Sequence, residues 1–196
     1  IHDGSTKRLA DRNLAVRGST LEELRKLDVG SWKHEKYKGT KIPTIAEVFA
    51  TIPKGRKIFV EVKCGKEIIP HLVKEIGKSK LKTEQVVLIC FKQEVVQAFK
   101  KAMPKNKAYW LSGFKKNENG VWKPTLETVL TTLKESKADG LDSHHGIPAS
   151  AAKKIMKEGY EWHAWTVNDL ATAKKLKALG IHSITTDRPA LIKGSL

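Results

Sequence analysis

A carboxylate and an ammonium group lie two residues apart in one strongly apolar stretch of this sequence. The run Ile58-Phe59-Val60-Glu61-Val62-Lys63 is rich in β-branched and aromatic residues, which is typical of a strand buried on both faces. Because side chains alternate along a strand, Glu61 and Lys63 must point to the same side. A buried charge is costly without a partner, so the pair is either an internal ion pair or a cation or phosphate site. We favour the site, because parallel sheets bind ligands at the carboxyl ends of their strands.

Few other side chains have suitable chemistry. His2 is the acid–base candidate, because an imidazole titrates near neutral pH. Trp110 and Trp165 fall towards the ends of predicted strands and are interpreted as aromatic walls of a pocket. Cys90 and His163 are expected to line that pocket rather than to act as catalysts. The sequence has no serine nucleophile elbow and no two-histidine zinc motif.

Alternating strand-like and helix-like segments must position these residues. Strands are predicted at 57–63, 86–91, 108–112, 138–143, 161–167 and 182–187, and helices at 68–76, 94–103, 126–135, 149–157 and 170–179. The strands start roughly 20 to 30 residues apart, the length of a βα unit, which predicts an α/β fold with a parallel sheet. We interpret six such units as part of an eightfold (β/α) TIM barrel whose first two strands are absent from this sequence. An open doubly wound sheet is the alternative, although no glycine-rich phosphate loop follows any strand.

The first 45 residues are polar and rich in turns, and they lead to two helix-start signals. Ser19-Thr20 offers an N-cap hydroxyl, with Glu22 or Glu23 near the third helical position, which predicts a capping box and a short helix. Thr44 is expected to cap a second helix over residues 45–52. Both helices precede the first predicted strand.

Composition excludes several classes of protein. The 196 residues carry a formal net charge of +16, mostly from scattered lysines, which are typical of a solvated surface rather than a nucleic-acid groove. At most a peripheral attraction to acidic membrane surfaces is expected. Cys64 and Cys90 form neither a disulfide framework nor a zinc motif. No stretch is apolar enough to cross a bilayer, so we expect a soluble protein, cytoplasmic or periplasmic or secreted. The sequence begins at Ile1 without an initiator Met, and we interpret it as a fragment.

A series of short motifs, taken together, resembles the glycerophosphodiester phosphodiesterase family in order and spacing. They are His2-Asp3, Thr6-Lys7-Arg8, Asp28-Val29-Gly30-Ser31-Trp32, Ile42-Pro43-Thr44, Val60-Glu61-Val62-Lys63, Ala164-Trp165-Thr166-Val167-Asn168 and Ile184-Thr185-Thr186-Asp187-Arg188-Pro189. The resemblance covers essentially the whole chain. It implies a (β/α)₈ TIM barrel of the PLC-like phosphodiesterase type, with a small segment inserted after the second strand. Residues 1–40 then correspond to most of that insertion, and residues 41–196 to the remainder of the barrel.

The resemblance also implies roles for individual residues. It makes His2 one of two catalytic histidines, Glu61 a ligand of a divalent cation (Ca²⁺ or Mg²⁺), Lys63 a phosphate contact and Trp165 a wall of the substrate pocket. The implied reaction is the metal-dependent hydrolysis of a small glycerophosphodiester to sn-glycerol 3-phosphate and an alcohol. The family's His-Arg-Gly and Glu-x-Asp motifs have no counterpart in these 196 residues. Those motifs carry the other catalytic histidine, an arginine and the remaining cation ligands.

Two alternative functions remain open. A related lysophospholipase D or sphingomyelinase D would act on whole lipids, but the sequence shows no convincing hydrophobic loop. A non-catalytic barrel remnant would bind phosphorylated ligands without turning them over. The missing motifs favour the remnant, whereas the presence of His2, Glu61 and Lys63 argues against it.

Overall fold

The computed structural model describes residues 1–194 and contains two compact units. The first unit comprises Ile1–Lys54 with Gly77–Lys80, and the second comprises Gly55–Ile76 with the chain from Leu81 onward. The predicted division at residue 40 is based on the family's inserted segment, and it stays a prediction.

The second unit consists of alternating strands and helices. Its strands are β1 (Ile58–Glu61), β2 (Val86–Cys90), β3 (Ala108–Ser112), β4 (Lys115–Lys116), β5 (Trp122–Lys123), β6 (Gly140–His144), β7 (Glu161–Trp165) and β8 (Ser183–Ile184). The helices that begin after β1 are α3 (Ile69–Lys78), α4 (Gln93–Ala102), α5 (Leu126–Ser136), α6 (Ala149–Lys157), α7 (Leu170–Ala178) and α8 (Pro189–Lys193). The predicted strands and helices therefore exist, with ends that differ by a few residues.

Six of these strands form one parallel sheet in the order β1-β2-β3-β6-β7-β8. The order follows the sequence without a reversal, whereas a doubly wound sheet reverses its strand order at a switch point. The doubly wound alternative is therefore wrong, and the parallel α/β fold is confirmed. The antiparallel pair β4 and β5 was not predicted, because two-residue strands carry almost no periodic signal.

The sheet is strongly curled. The rings of Phe59 on β1 and His163 on β7 have centroids 6.1 Å apart. Four strand-to-strand steps separate β1 from β7, which would place them about 19 Å apart in a flat sheet. The sheet therefore bends so that side chains on its concave face meet across it, as in the interior of a barrel.

Many of the most deeply buried residues of the second unit lie on the opposite, convex face. Leu88, Leu141 and Trp162 are fully shielded from solvent on this face, and the apolar side chains Val96 and Phe99 of α4 are equally buried. Amphipathic helices over a parallel sheet give this pattern, because each helix buries one stripe of apolar residues.

The edge strand β1 corrects one expectation. The sequence predicted a strand buried on both faces, yet the side chain of Phe59 is 40% exposed. The prediction failed because apolar content does not reveal whether a strand is central or lies at the edge of a sheet. Among the described residues, β1 is an outer strand of the sheet.

The first unit contains α1 (Leu21–Lys26) and α2 (Ile45–Ala50), and both begin with complete capping boxes. The Thr20 hydroxyl accepts from the Glu23 backbone N–H, and Glu23 accepts from the Thr20 N–H, as the sequence predicted. Between the helices, the carboxylate of Asp28 accepts backbone N–H bonds from Gly30, Ser31 and Gly39 and so closes the loop. In the described part of the chain, no helix has the length and apolar character needed to span a membrane.

Candidate functional site

The predicted carboxylate–lysine pair forms at the carboxyl end of β1. Glu61 is the last residue of the strand, and its Oε1 lies 2.5 Å from the ammonium Nζ of Lys63. The two side chains are 26% and 34% exposed, so they are reachable from solvent. An accessible ion pair at the end of a parallel strand can exchange its internal partner for a charged ligand.

The strand register shows which other residues share the concave face with Glu61. Glu61 is in register with Ile89, Ile89 with Tyr109, and Tyr109 with Gly140. Side chains in register point to the same face, and so does a residue two positions further along a strand. Asp142 therefore faces the same side of the sheet as Glu61.

Trp165 and His163 on β7 share this face. In the pairing of β6 with β7, Asp142 is in register with His163, and His144 is in register with Trp165. The indole Nε1 of Trp165 donates a hydrogen bond to the backbone carbonyl of Asp142 (3.2 Å). The structure thus brings the predicted pocket residue Trp165 to the carboxyl end of the sheet, next to an acid that was not selected from the sequence.

Two further rings surround Trp165. Phe91, in the loop after β2, and His144, at the end of β6, contact it edge-to-face, with centroid distances of 5.8 Å and 5.6 Å. Neither ring was predicted to contact Trp165. Phe91 was placed at the end of the predicted strand 86–91, but it lies just after β2, and alternation along β6 could have indicated His144.

Cys90 and Trp110 are not brought to the concave face. They are in register with each other and with Leu141. This register is shifted by one residue from the one that contains Tyr109, so their side chains point to the opposite face of the sheet. The Cys90 thiol donates to the Val62 carbonyl (3.0 Å), and burial raises the pKa of this thiol. The proposal that these two residues line the pocket with Glu61 therefore finds no support in the strand register.

His163 lies deeper on the concave face. Its ring stacks on Tyr109 at a centroid distance of 4.1 Å, and its Nδ1 lies 2.6 Å from the Ser183 hydroxyl. The Tyr109 hydroxyl donates to Glu161 (2.5 Å), and His163 Nε2 lies 3.5 Å from the same carboxylate. Burial lowers the pKa of His163 to about 4, although Glu161 acts in the opposite direction. His163 is therefore a neutral imidazole held on the concave face, and its role as a pocket residue stays a prediction.

Asp142 is the residue of the site that sequence reasoning missed. Its side chain is 2% exposed, and its Oδ1 is buried without a hydrogen-bond partner. Burial, followed by the negative charge of Glu61, raises the pKa of this carboxyl to about 7. The sequence did contain one indication, since an acid stands between Leu141 and Ser143 within a predicted strand, and the residues on both sides of it are buried.

His2 belongs to the first unit and lies next to Asp3. Its Nδ1 lies 2.8 Å from Asp3 Oδ1, while the Nε of Arg8 donates to Asp3 Oδ2 (2.7 Å). Hydrogen bonds from Arg8 and then His2 lower the pKa of Asp3 to about 2. Asp3 therefore links the His-Asp motif to the Thr-Lys-Arg motif and orients the exposed imidazole.

The motifs after β7 and β8 are linked to each other. The Asn168 side chain accepts the backbone N–H of Asp187 (2.9 Å) and donates to the Asp187 carboxylate (2.8 Å). The Thr186 hydroxyl also donates to Asn168 (3.1 Å). These bonds fix the two loops at the carboxyl ends of neighbouring strands, where Trp165 lies.

Some carboxylates of the concave face have the chemistry of ligands for a divalent cation. Among residues 1–194, no three His, Cys, Asp or Glu side chains converge in the geometry of a metal cluster. Glu61 and the unpartnered Oδ1 of Asp142 nevertheless provide two carboxylates on one face of the sheet. Hard cations prefer oxygen ligands, and Mg²⁺ commonly uses one or two carboxylates with water and substrate phosphate. These residues therefore fit such an ion.

A curled parallel sheet with a carboxylate–lysine pair at the carboxyl end of β1 defines an α/β protein of barrel-like architecture. The sequence profile of the glycerophosphoryl diester phosphodiesterase family matches residues 1–191. The chain belongs to this family and so to the phosphoric diester hydrolases.

Individual relatives agree with this assignment. The chain is 28% identical to YhdW of Bacillus subtilis over 98% of this chain and 77% of that protein. It is 27% identical to a glycerophosphodiester phosphodiesterase of Caldanaerobacter subterraneus over 96% of this chain and 76% of that protein. Among solved structures, it resembles a phosphodiesterase of Oleispira antarctica in complex with sn-glycerol-3-phosphate, with a TM-score of 0.86 at 22% identity. That match covers 100% of this chain and 77% of the other, and at this identity it shows the fold.

Proposed function

We propose that this chain hydrolyses glycerophosphodiesters to sn-glycerol 3-phosphate and an alcohol. The observation that carries the proposal is the Glu61–Lys63 pair, solvent-accessible at the carboxyl end of β1. It occurs in a chain that belongs to the glycerophosphoryl diester phosphodiesterase family over residues 1–191. The complex of the Oleispira antarctica relative with sn-glycerol-3-phosphate supports a small-molecule substrate of this class.

The six parallel strands are, in this proposal, part of a (β/α)₈ barrel, with residues 1–40 as the family's inserted segment. Their order along the sequence and the close approach of Phe59 to His163 support a barrel geometry. The solved relatives are longer than this chain, which covers 77% of the Oleispira antarctica structure.

Lys63 binds the phosphodiester group in the proposed site. A phosphodiester carries a negative charge that repels an incoming nucleophile, so a nearby ammonium lowers the barrier as charge builds on the phosphoryl oxygens. Phosphate competes with Glu61 for the ammonium, and Lys63 can turn from one oxyanion to the other because its stem is flexible.

Glu61 holds the divalent cation, with Mg²⁺ and Ca²⁺ both suited to oxygen ligands. When bound, such an ion supplies Lewis-acid polarisation of a phosphoryl oxygen. The carboxylate of Glu61 fixes the position at which that charge acts. Lys63 therefore contacts the phosphodiester directly, whereas Glu61 would act on it through the ion that it holds.

His2 transfers the proton in this proposal. An imidazole can take a proton from the attacking oxygen or deliver one to the leaving alcohol at neutral pH. Its Nδ1 lies 2.8 Å from Asp3 Oδ1, and this contact orients the ring. Trp165, with Phe91 and His144 around it, forms the wall that excludes water from one side of the substrate.

The test is the release of glycerol 3-phosphate from glycerophosphocholine with Mg²⁺, with Ca²⁺ and with a chelator. We expect cation-dependent turnover by the wild-type chain and its loss in Glu61→Gln, which keeps the shape and removes the charge. Glu158→Gln, on an exposed residue paired with Lys154, is the matched control and should retain turnover.

Parallel assays with lysophosphatidylcholine and sphingomyelin distinguish the lipid-directed alternative. Turnover of these lipids without turnover of glycerophosphocholine would replace the proposed substrate class. If circular dichroism shows a folded chain that binds phosphate but hydrolyses none of the three substrates, the non-catalytic alternative is correct.

A further inference from the structure

Asp142 is a buried acid on the concave face of the sheet, without a partner for one of its oxygens. Its side chain is 2% exposed, and its Oδ1 accepts no hydrogen bond from any described residue. An unsatisfied buried polar atom costs roughly 1–3 kcal/mol, and more when the group is charged. Native structures rarely keep such a group without a function or a bound ion.

The surrounding groups do not supply the missing partner. His163, the register partner of Asp142 on β7, directs its Nδ1 to Ser183 and has Nε2 3.5 Å from Glu161. Lys100 and Lys107 make ion pairs with Asp139 and Glu161, at the amino ends of β6 and β7. The negative charge of Glu61 also acts on Asp142 and raises its pKa further.

Two acids therefore share one face of the sheet. Glu61 lies at the end of β1, and the strand register places Asp142 on the same face. Three strand steps separate their strands, or about 14 Å in a flat sheet, and the curl of the sheet shortens that distance. Two like charges on one face repel each other, and a cation bound by both carboxylates would remove that repulsion.

We propose that Asp142 is a second carboxylate of the cation site and that its Oδ1 binds the same divalent cation as Glu61. The inference rests on the proposed function only in that Glu61 holds a cation. It adds a ligand from β6, three strands away from β1, which ends at Glu61 and is followed by Lys63.

The same arrangement gives Trp165 a second role. Its indole N–H donates a hydrogen bond to the backbone carbonyl of Asp142, the same residue whose side chain carries the carboxylate. A cation on Oδ1 would therefore lie beside the aromatic wall of the pocket. Asp142 acts in this way as both a ligand and a positioning residue for Trp165.

The experiment measures binding of Mn²⁺ alone by electron paramagnetic resonance, without substrate, to the wild-type chain and three variants. Asp142→Asn keeps the shape of the side chain, Glu61→Gln removes the other carboxylate, and the exposed Glu158→Gln is the control. We expect Asp142→Asn to weaken Mn²⁺ binding by at least about tenfold, because even an indirect partner of a metal ligand contributes that much. Glu158→Gln should bind like the wild type.

A thermal melt of each protein with and without Mn²⁺ separates a ligand from a merely structural acid. A ligand variant has a metal-free melting temperature equal to or above that of the wild type and loses the rise produced by Mn²⁺. A structural acid would give a lower metal-free melting temperature with the rise intact.

The outcomes distinguish the two proposals. Loss of binding in both Asp142→Asn and Glu61→Gln supports the second carboxylate. Loss in Glu61→Gln with unchanged binding in Asp142→Asn overturns it and leaves the proposed function standing. If the wild-type chain binds no Mn²⁺, the inference is overturned, and hydrolysis that persists in chelator would remove the cation from the proposed function as well.

Discussion

The indole Nε1 of Trp165 donates a hydrogen bond to the backbone carbonyl of Asp142 at 3.2 Å, which ties the end of β7 to β6. Trp165 belongs to the Trp-Thr-Val-Asn motif, and Asp142 is the buried acid of the concave face. The bond fixes the plane of the indole ring where Phe91 and His144 also contact it. The aromatic wall of the proposed pocket is therefore set by a backbone group of the neighbouring strand.

Trp165→Phe is expected to lower kcat/KM for glycerophosphocholine by about three- to tenfold, because the net value of one hydrogen bond is about 0.5–1.5 kcal/mol. The phenyl ring keeps an apolar wall but loses the N–H that orients it. Steady-state kinetics measures the change. Trp122→Phe, in the β4–β5 hairpin, is the control and should leave kcat/KM unchanged. Equal loss in both variants would contradict a specific role for Trp165.

Lys63→Gln is expected to reduce kcat by about 10²-fold, since removing one preorganised donor to a developing oxyanion costs about 10²–10³. The readout is the initial rate of glycerol 3-phosphate release at saturating substrate. Lys157→Gln makes the same change of net charge at the exposed end of α6 and should have no effect. A similar loss in both variants would indicate an effect of overall charge rather than of the site.

The stability of the chain is expected to fall as pH drops from about 6.5 towards 4, in part because of His163. Its pKa is lowered from 6.5 to about 4, first by burial and further by His182 and Lys57, against the opposing effect of Glu161. Within this range the unfolded chain binds a proton that the folded chain does not, so acid favours unfolding. The contribution is fully present above pH 6.5 and amounts to at most about 3 kcal/mol.

Urea unfolding at pH 5 and pH 7 measures this effect. His163→Gln should lose less stability than the wild type between the two pH values. His71→Gln, at an exposed position on α3, serves as the control. A wild-type pH dependence that persists in His163→Gln would exclude His163 as its source.

Gly140→Ala is expected to destabilise the sheet between β6 and β7. A Cβ atom at this position would lie 2.1 Å from the carbonyl oxygen of Glu161, so one of the two backbones would have to move. Such overpacking typically costs about 1–3 kcal/mol. Gly77→Ala, in α3 with nothing within 4 Å of the added atom, should instead stabilise the chain by about 0.5–1 kcal/mol. Thermal unfolding of both variants would show opposite shifts, and a neutral Gly140→Ala would contradict the close approach.

The sequence by itself determined the local structure. Thr20 and Thr44 identified the starts of both early helices, because a cap depends on residues only three positions apart. The regular spacing of strands and helices indicated a parallel α/β sheet, and alternation placed Glu61 and Lys63 on one side of β1. These features are encoded by neighbours along the chain.

Only the tertiary structure decided how distant strands combine. Register placed Asp142 on the face of Glu61 and Cys90 and Trp110 on the other, because a shift of one residue between neighbouring strands exchanges the two faces. The curl of the sheet then brought Phe59 and His163 together across four strand steps. Local periodicity contains neither quantity, since both depend on the packing of residues far apart in the sequence.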